Sequence, residues 1–493
     1  MVDTISIPGY SSDNRVPGFY FALDASKANT AKVRRRVLLI GQMLESGAGT
    51  PDVAVQCGGV TSAQGLYGTG SQIALMVEAY RKIDRTGELW VLPLSESGVV
   101  SKAKGSIQFS GTASQNGKIS LYIGDQLIEY FVTKGDNATT IAKNLADRVN
   151  AFANVPVQAD SSEGKVNLTA KNGGQCGNAI ALNLNLLGEI AGQALPLGIT
   201  ATLTKMQGGV GTPSSLSNCL AGLGSRQFDL FIHPFTDLQS LSIFTDFLND
   251  QSGRWQLTDQ LYGHTITALS GTYGEVTALG DRLNDQHMTI MSTSDSPTHP
   301  MIWAAQVGAQ VAVSMRNNPA IPITGLVLSV MPPSDQGFFN FQQRNSLLYD
   351  GISTFIVNDN NQVMIERLIT TYKRNSYGNE DNSYLNIETM LTASMAIQDM
   401  RQFLSDQFPR CVLLRDGSKI TAGQQATTAE LIGKTCIARY RTQAEYLWVQ
   451  DTDGFASELK AENAGNGTVK LLMPYRFSDQ LFIIAGNCQF TKG

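Results

Sequence analysis

The sequence predicts a multidomain protein that combines an α/β core with an inserted, β-rich α+β domain and extended strands at both termini. Three observations predict this fold class. Apolar strands and amphipathic helices alternate on both sides of residues 105–205, as they do in α/β proteins. Residues 105–205 themselves show the two-residue alternation of half-buried strands. The N-terminus carries a strand-like segment without a hairpin partner nearby, and the C-terminus ends in a strongly apolar strand. A length of 493 residues suits about three domains.

The composition indicates a folded protein whose surface is unusually neutral. Hydrophobic residues make up 42% and charged residues 16% of the chain, and the net charge is −5, whereas about 25% charged residues is usual. A disordered chain would be poorer in apolar and richer in charged residues. The low charge hints that partners cover much of the surface. The acidic balance argues against general nucleic-acid binding.

Cysteine usage and apolar runs restrict the class of protein further. The closest two of the six cysteines are Cys411 and Cys436, which excludes zinc-knuckle and C-x-x-C spacings, so we expect reduced thiols. No apolar run approaches the roughly 20 residues of a membrane helix. Residues 1–9 have neither the basic nor the apolar region of a signal peptide, so we expect none.

The first α/β part spans residues 31–95. Val37–Gly41 is a short apolar strand, Ser71–Asp84 is a helix with Ser71 as its candidate N-cap, and Glu88–Leu94 is a second buried strand. The apolar residues of the helix recur on one face at helical spacing. This order of strand, helix and strand is typical of an α/β fold.

The β-rich insertion spans residues 105–205 and ends in a glycine-rich linker at 208–213. Gly124 and Asp125 separate two alternating runs and predict a hairpin turn. A helical pattern runs from Asn137 to Phe152. The strand-like runs of this part are residues 106–110, 119–123, 127–132, 165–170 and 180–186.

After the linker the α/β alternation resumes. The pattern predicts strands at residues 230–233, 288–292, 326–330 and 352–357, and helices at residues 238–248 and 303–315. The second helix is rich in Ala and Val around its whole circumference, so we expect it to be buried on most sides.

The C-terminal part begins near residue 362. It is predicted to contain a strand at 363–372, helices at 384–408 and 428–449, and strands at 468–474 and 480–490. The last strand is apolar on both faces at its start, so it must be covered within the chain or by a neighbour. At the other end, Thr4–Ile7 alternates between polar and apolar residues. It is either a strand that pairs with a distant segment or another chain, or an unstructured terminus.

The sequence lacks the usual motifs of α/β enzymes. Gly433-Lys-Thr435 resembles the end of a phosphate-binding loop, but the glycine required five positions earlier is Thr428. The four histidines show no metal-binding pair at helical spacing. His233 ends a strand, where a structural role is the favoured interpretation and a catalytic role the alternative. The basic run at 32–36 is interpreted as the solvated entry to a strand, or alternatively as a contact with an acidic neighbour subunit.

Two stretches of the C-terminal part carry a family resemblance. Glu366-Arg-Leu-Ile-Thr-Thr-Tyr372 and Gly378-Asn-Glu-Asp-Asn-Ser-Tyr-Leu-Asn-Ile-Glu-Thr389 resemble the signature of contractile tail sheath proteins, and in particular of the sheath of phage Mu and Mu-like prophages. The order of the flanking segments agrees along nearly the whole chain. The signature residues are Arg367, Thr370, Thr371, Tyr372, Tyr384 and Thr389.

The resemblance implies a structural protein of a bacteriophage-type particle, without catalytic residues, cofactor or metal. Sheath subunits of the family form stacked hexameric rings, or a six-start helix, around the tail tube. They contract to drive the tube through the host envelope. The implied partners are further copies of the chain, the tube protein, and baseplate and tail terminator proteins. Nucleic acid and membrane insertion are not implied. Assembly would take place in the host cytoplasm and the product would be part of the virion tail.

In the family, an N-terminal arm and a C-terminal strand of each subunit add to a sheet in neighbouring subunits. The resemblance therefore implies that the strand-exchange residues are Ile5, Ile7, Leu481, Phe482, Ile483 and Ile484. The implied organisation is an arm at 1–20, an α/β sheath domain at 21–100 and 209–361, an inserted domain at 101–208, a C-terminal core domain at 362–478 and an exchanged strand at 479–493. An α/β enzyme with an unrecognised site and a surface adhesin-like module are the alternatives.

Overall fold

A computed structural model describes residues 35–98, 101–334, 336–421 and 423–492. Its first part confirms the predicted alternation of strand and helix. Ser71 caps the main helix as predicted, because its hydroxyl accepts a hydrogen bond from Ala74 N at 3.2 Å. The elements are β1 (Arg36–Gln42), β2 (Val55–Gln56), α1 (Val60–Tyr67), α2 (Gln72–Ile83) and β3 (Glu88–Leu94).

The insertion forms two antiparallel sheets around a hydrophobic cluster of its own. Ile123 pairs with Gln126, which confirms the predicted two-residue turn at Gly124 and Asp125. The helix is capped by Asn137, whose side chain accepts from Thr140 N at 2.9 Å. The elements are β4 (Lys104–Gly111), β5 (Gly117–Ile123), β6 (Gln126–Val132), α3 (Ala138–Ala151), β7 (Val157–Ser162), β8 (Lys165–Ala170), β9 (Leu182–Leu184) and β10 (Ile199–Gln207).

The third part returns to the first and completes its sheet. The elements are α4 (Leu216–Ala221), β11 (Leu230–Ile232), α5 (Leu238–Leu248), β12 (His264–Ser270), α6 (Tyr273–Gly280), β13 (Met288–Ser294), α7 (Pro300–Asn317), β14 (Val327–Leu328), α8 (Phe341–Tyr349) and β15 (Thr354–Val357). The six-stranded sheet has the order β13-β12-β11-β1-β3-β2, with parallel pairs except at the edge strand β2.

Helices cover both faces of this sheet, as the continuous apolar run in β1 requires. Val37 and Leu39 of β1 belong to the hydrophobic cluster that contains residues of α2 and α7. Leu38 and Ile40 belong to the cluster on the opposite face, together with residues of α4 and α5. Alternate residues of one strand therefore hold two helical layers together, which is the arrangement of an α/β core.

Gly308 lets α7 lie directly against this sheet. A Cβ atom at Gly308 would collide with the side chain of Ile232 in β11. The helix begins at Pro300, and His299 caps it. His299 Nδ1 accepts from Met301 N at 3.0 Å, and His299 Nε2 donates to the carbonyl of Cys176 in the insertion at 2.9 Å. Burial lowers the pKa of His299 to about 4.

The C-terminal part packs against the core through β16 and α9. Its elements are β16 (Val363–Arg367), α9 (Ile387–Gln407), β17 (Val412–Leu413), β18 (Ala426–Thr427), α10 (Ala429–Glu445), α11 (Thr452–Glu458), β19 (Lys460–Gly465) and β20 (Thr468–Leu472). Strand β16 is the middle of a small sheet with β14 and β15, and β19 pairs with β20 as a hairpin.

Several predicted element boundaries in the second half are wrong. The strand at 363–372 ends at Arg367, and the helix at 384–408 begins only at Ile387, because Thr370 N bonds to Leu385 O in a loop contact instead of a ladder. The strand at 326–330 shrinks to Val327–Leu328. The helix at 428–449 ends at Glu445, since Leu447 adopts a positive φ of 63°.

The solvated entry predicted for the basic run is also wrong where the structure describes it. Arg35 is buried and forms an ion pair with Asp229 at 3.1 Å. Arg36 pairs with Glu88 across the neighbouring strand at 2.8 Å. Burial raises the pKa of the Asp229 carboxyl, and the Arg35 guanidinium opposes that shift. Both arginines therefore hold β1 to its neighbouring strands.

Candidate functional site: the signature joint and the C-terminal segment

The signature residues lie where the core sheet meets the beginning of α9. We call the cluster of Arg367, Thr370, Thr371, Tyr372 and Tyr384 the signature joint. After β16 the chain runs past the start of β13, where Thr371 N donates to Met288 O at 2.9 Å. It then meets the loop before α9, where Ile369 and Asn386 form an antiparallel bridge. One extended stretch therefore touches both the sheet and the helical part of the chain.

Thr371 makes the contact with the core. Its hydroxyl accepts from Asp285 N and donates to Asp285 O, both at 3.0 Å, and the residue is 0% exposed. Gly351 packs against the backbone of Thr371 and has a φ of 78°. A Cβ atom at this position would lie 2.9 Å from that backbone. Such a close approach with a positive φ is open to glycine at no steric cost.

Thr370 and the two tyrosines hold the loop before α9. The Thr370 hydroxyl donates to Tyr384 O at 2.7 Å. The Tyr372 hydroxyl donates to Asp381 Oδ2 at 2.7 Å, and the rings of Tyr372 and Tyr384 meet edge to face at 5.1 Å. Burial and the Asp381 carboxylate raise the pKa of Tyr372 to about 12. The phenol is therefore a hydrogen-bond donor at neutral pH.

Arg367 faces the C-terminal end of the chain. Its Nη2 atom donates to Asn386 Oδ1 at 2.9 Å, and its guanidinium carbon lies 4.6 Å from the centre of the Phe482 ring. Glu388 is 0% exposed and accepts from Ile323 N at 2.7 Å. Burial lowers the pKa of Arg367, and the nearby charge of Glu388 opposes that shift. Burial in turn raises the pKa of Glu388.

Thr389 does not belong to the signature joint. It lies half-buried in α9, and its side chain makes no hydrogen bond within the described part of the chain. Thr370, Thr371 and Tyr372 are instead buried, and each hydroxyl has a hydrogen-bond partner. The cluster is thus a mechanical connection between core and C-terminal part, with its polar groups already occupied by the chain.

The predicted C-terminal strand does not form within the subunit. Residues 480–490 are described, but none of them is in a strand, because a strand needs a backbone partner. Leu481, Ile483 and Ile484 are 68%, 76% and 84% exposed, whereas Phe482 is half-buried. The other two predicted strand-exchange residues, Ile5 and Ile7, lie outside the described residues.

Of the hairpin formed by β19 and β20, the sequence predicted only the second strand. Strand β20 is apolar enough to recognise, but β19 reads Lys-Ala-Glu-Asn-Ala-Gly, and Asn and Gly are depleted in strands. The hairpin packs on α10 at Gly433, where a Cβ atom would approach Leu459 and Ala461 within 3.1 and 3.2 Å. Gly433 is therefore a packing glycine inside a helix, which excludes the phosphate loop. Within the described residues, β19 and β20 pair only with each other.

The histidines and the acidic groups that the structure describes supply no alternative site. His233 is 0% exposed, stacks on Phe244 at 3.9 Å and accepts from Phe235 N at 3.2 Å, and burial lowers its pKa to about 3. Among the described residues, no group of three or more His, Cys, Asp or Glu side chains could hold a metal ion. None of the helices in these ranges is long and apolar enough to span a bilayer.

Comparison with known proteins identifies the class to which this fold belongs. Residues 208–371 match the family described as the phage tail sheath protein central domain. The chain also resembles the crystal structure of the sheath tail protein of Desulfitobacterium hafniense, with 12% identity, a TM-score of 0.50, and coverage of 94% of this chain and 97% of that one. The fold is that of a sheath protein, which confirms the predicted mixed α/β and α+β class.

A curated relative narrows the identification. The chain is 35% identical over 492 residues to the Mu-like prophage FluMu tail sheath protein of Haemophilus influenzae (strain Rd), and the match covers 99% of each chain. The protein belongs to the Mu-like tail sheath family, as the signature stretches indicated. It is a structural subunit of a tail sheath, and the family is not one of enzymes.

Proposed function

We propose that this chain polymerises into stacked hexameric rings, or an equivalent six-start helix, around a tail tube. The polymer contracts to drive the tube through the host envelope. Its partners are further copies of the chain, the tube protein, and baseplate and tail terminator proteins. The chain assembles in the host cytoplasm and becomes part of the virion tail. Family membership over 99% of the chain supports this function.

The observation that carries the proposal is the exposed apolar C-terminal segment. Leu481, Ile483, Ile484 and Phe490 are between 68% and 91% exposed. An apolar run of this kind is a liability on an isolated subunit, yet it suits a strand that adds to the sheet of a neighbour. Backbone hydrogen bonds across such a junction hold two subunits together and leave the attached domains free to rotate.

The hairpin of β19 and β20 is the acceptor that we propose. It lies on the subunit surface, and both of its edges are unpaired within the described residues. Leu472 on β20 is 59% exposed, which adds apolar surface beside the open edge. Addition of terminal strands from neighbours would extend the hairpin into a larger sheet and satisfy the backbone groups of all partners.

A contracting lattice must exchange one set of subunit contacts for another. Leaving one charge buried without its partner costs about 3–5 kcal/mol, so interfaces that slide past each other should be poor in buried ion pairs. The 16% share of charged residues agrees with this requirement. The energy of contraction would come from additional buried area, summed over many identical contacts.

Negative-stain microscopy of the purified chain tests polymerisation. We expect long tubes or stacked rings, and a stable monomer at high concentration would overturn the proposal. Deletion of residues 479–493, or of residues 1–18, should abolish polymerisation and leave a folded subunit. Deletion of residues 491–493 is the matched control, because it shortens the chain without removing the apolar run. Normal tubes from the 479–493 deletion would contradict strand exchange.

A further inference from the structure

The C-terminal segment leaves its own subunit at a defined residue. Ser478 N bonds to Trp448 O at 3.1 Å, and Gln480 Nε2 reaches Ala320 O at 3.4 Å. Phe482 is half-buried under Arg367, and every residue from Ile483 to Lys492 is exposed. Contact with the subunit therefore ends at Phe482.

The surface that receives Phe482 is held in place by the core. Asn386 fixes the guanidinium of Arg367 from one side, and the charge of buried Glu388 lies nearby. Arg367 Nε is buried and has no hydrogen-bond partner in the described part. A guanidinium that is only partly hydrogen-bonded and partly desolvated attracts an aromatic face more strongly than a fully hydrated one. The Phe482 ring supplies that face, and its centre lies 4.6 Å from Arg367 Cζ.

We propose that Phe482 is an intramolecular anchor, clamped by Arg367, and that the strand available to a neighbouring subunit begins at Ile483. This inference rests on the strand exchange proposed above and assigns one of its residues a different role. Leu481, Ile483 and Ile484 project into solvent, whereas Phe482 stays with its own subunit and positions the strand. Arg367 is a positioning residue in the same sense, since it acts on the strand through Phe482.

The anchor limits how far the strand can reach. The eight residues 483–490 span at most about 29 Å when fully extended. The acceptor edge of the neighbour must therefore lie within that distance of the Phe482 backbone, before and after contraction. Without the clamp, contact with the subunit would end at Gln480, and the free strand would be two residues, or about 7 Å, longer. The anchor therefore restricts the geometries that two linked subunits can adopt.

A spin label two residues beyond the anchor measures the clamp on the free subunit. We choose Ile484→Cys in a background in which the four cysteines that are not buried, Cys57, Cys176, Cys411 and Cys488, are replaced by serine, at concentrations too low for assembly. An immobilised label indicates that the segment is docked through Phe482, and a mobile label indicates that it is free. Phe482→Leu keeps an apolar strand residue but removes the aromatic face, so we expect the ratio of docked to free segments to fall about two- to fivefold. Arg367→Met should do the same, whereas Arg367→Lys should keep most of the docked state. Leu481→Ala, an exposed neighbour, is the matched control.

The outcomes separate the clamp from strand exchange. Equal label mobility in the parent protein and in Phe482→Leu would refute the anchor, whatever the variant does in assembly. Normal polymerisation after deletion of residues 483–493 would refute strand exchange, while the mobility result on the free subunit would stand. For Arg367, a lower urea midpoint with an unchanged docked ratio would show a purely structural role and contradict its positioning role.

Discussion

Replacement of Thr371 by valine tests whether the signature joint is a mechanical connection. Valine keeps the branched shape and the packing of threonine but removes the hydroxyl. That hydroxyl is the hydrogen-bond partner of both the N–H and the carbonyl of Asp285, at 3.0 Å each. Both residues are buried, so water cannot easily replace the lost partner. The variant should therefore lower the free energy of unfolding of the core.

The magnitude follows from the two backbone groups left without partners. A buried donor or acceptor without a hydrogen bond costs about 1–3 kcal/mol. Because both groups belong to one residue and can relax together, we expect a loss of about 3 kcal/mol in total. The matched control is Thr389→Val. Thr389 is half-buried in α9, and its side chain has no hydrogen bond within the described part, so this change should cost less than about 0.5 kcal/mol.

Urea unfolding of dilute subunits, followed by tryptophan fluorescence, measures both variants. Trp303 is buried in the core cluster that contains β1 and α7, so it reports on the part of the molecule that Thr371 holds. Amide hydrogen exchange at Asp285 gives a local measurement of the same loss. If Thr371→Val and Thr389→Val unfold at the same urea concentration, Thr371 does not connect the core and the C-terminal part as argued.

Three further predictions concern the core. His299 is neutral in the folded state, with a pKa of about 4 against 6.5 when exposed, so its contribution of about 3 kcal/mol to the free energy of unfolding is present above pH 6.5 and is lost as pH falls toward 4. His299→Asn, which still caps α7, should flatten the measured dependence of the free energy of unfolding on pH. An unchanged slope would contradict this. Gly308→Ala should destabilise by about 1–3 kcal/mol because its methyl group would meet Ile232, and Ile232→Ala in the same chain should recover part of the loss in thermal unfolding. Asp229→Leu alone should cost about 3–5 kcal/mol by leaving Arg35 buried and unpaired, whereas the double variant with Arg35→Met should be more stable than the single one by urea unfolding.

Local patterns were sufficient where neighbouring residues determine the structure. Ser71 was recognised as a helix cap because a cap depends only on residues within one turn. The turn at Gly124 and Asp125 was recognised because a two-residue hairpin needs these residue types. The apolar strand β1 was recognised because a strand covered on both faces is apolar throughout.

Long-range pairing was not predictable in the same way. The strand predicted at 363–372 stops at Arg367, since its later residues bond to two different segments, Asp285–Met288 and Tyr384–Leu385. The basic run before β1 looked solvated, but Arg35 is paired with Asp229, which is 194 positions away along the chain. No local pattern records which distant residue will arrive beside a given side chain.

The sequence by itself determined the class of the protein and the signature stretches that define its family, because both depend on residue types and their local order. Only the tertiary structure decided what those stretches do. It brought Thr371 to the core, Tyr372 to Asp381 and Arg367 to Phe482, and it separated Phe482 from the exposed residues on either side of it. In the sequence, Leu481, Phe482, Ile483 and Ile484 form one apolar run. Phe482 differs from the other three only because the guanidinium of Arg367, from another part of the chain, packs on its ring. That contact exists only in the folded chain.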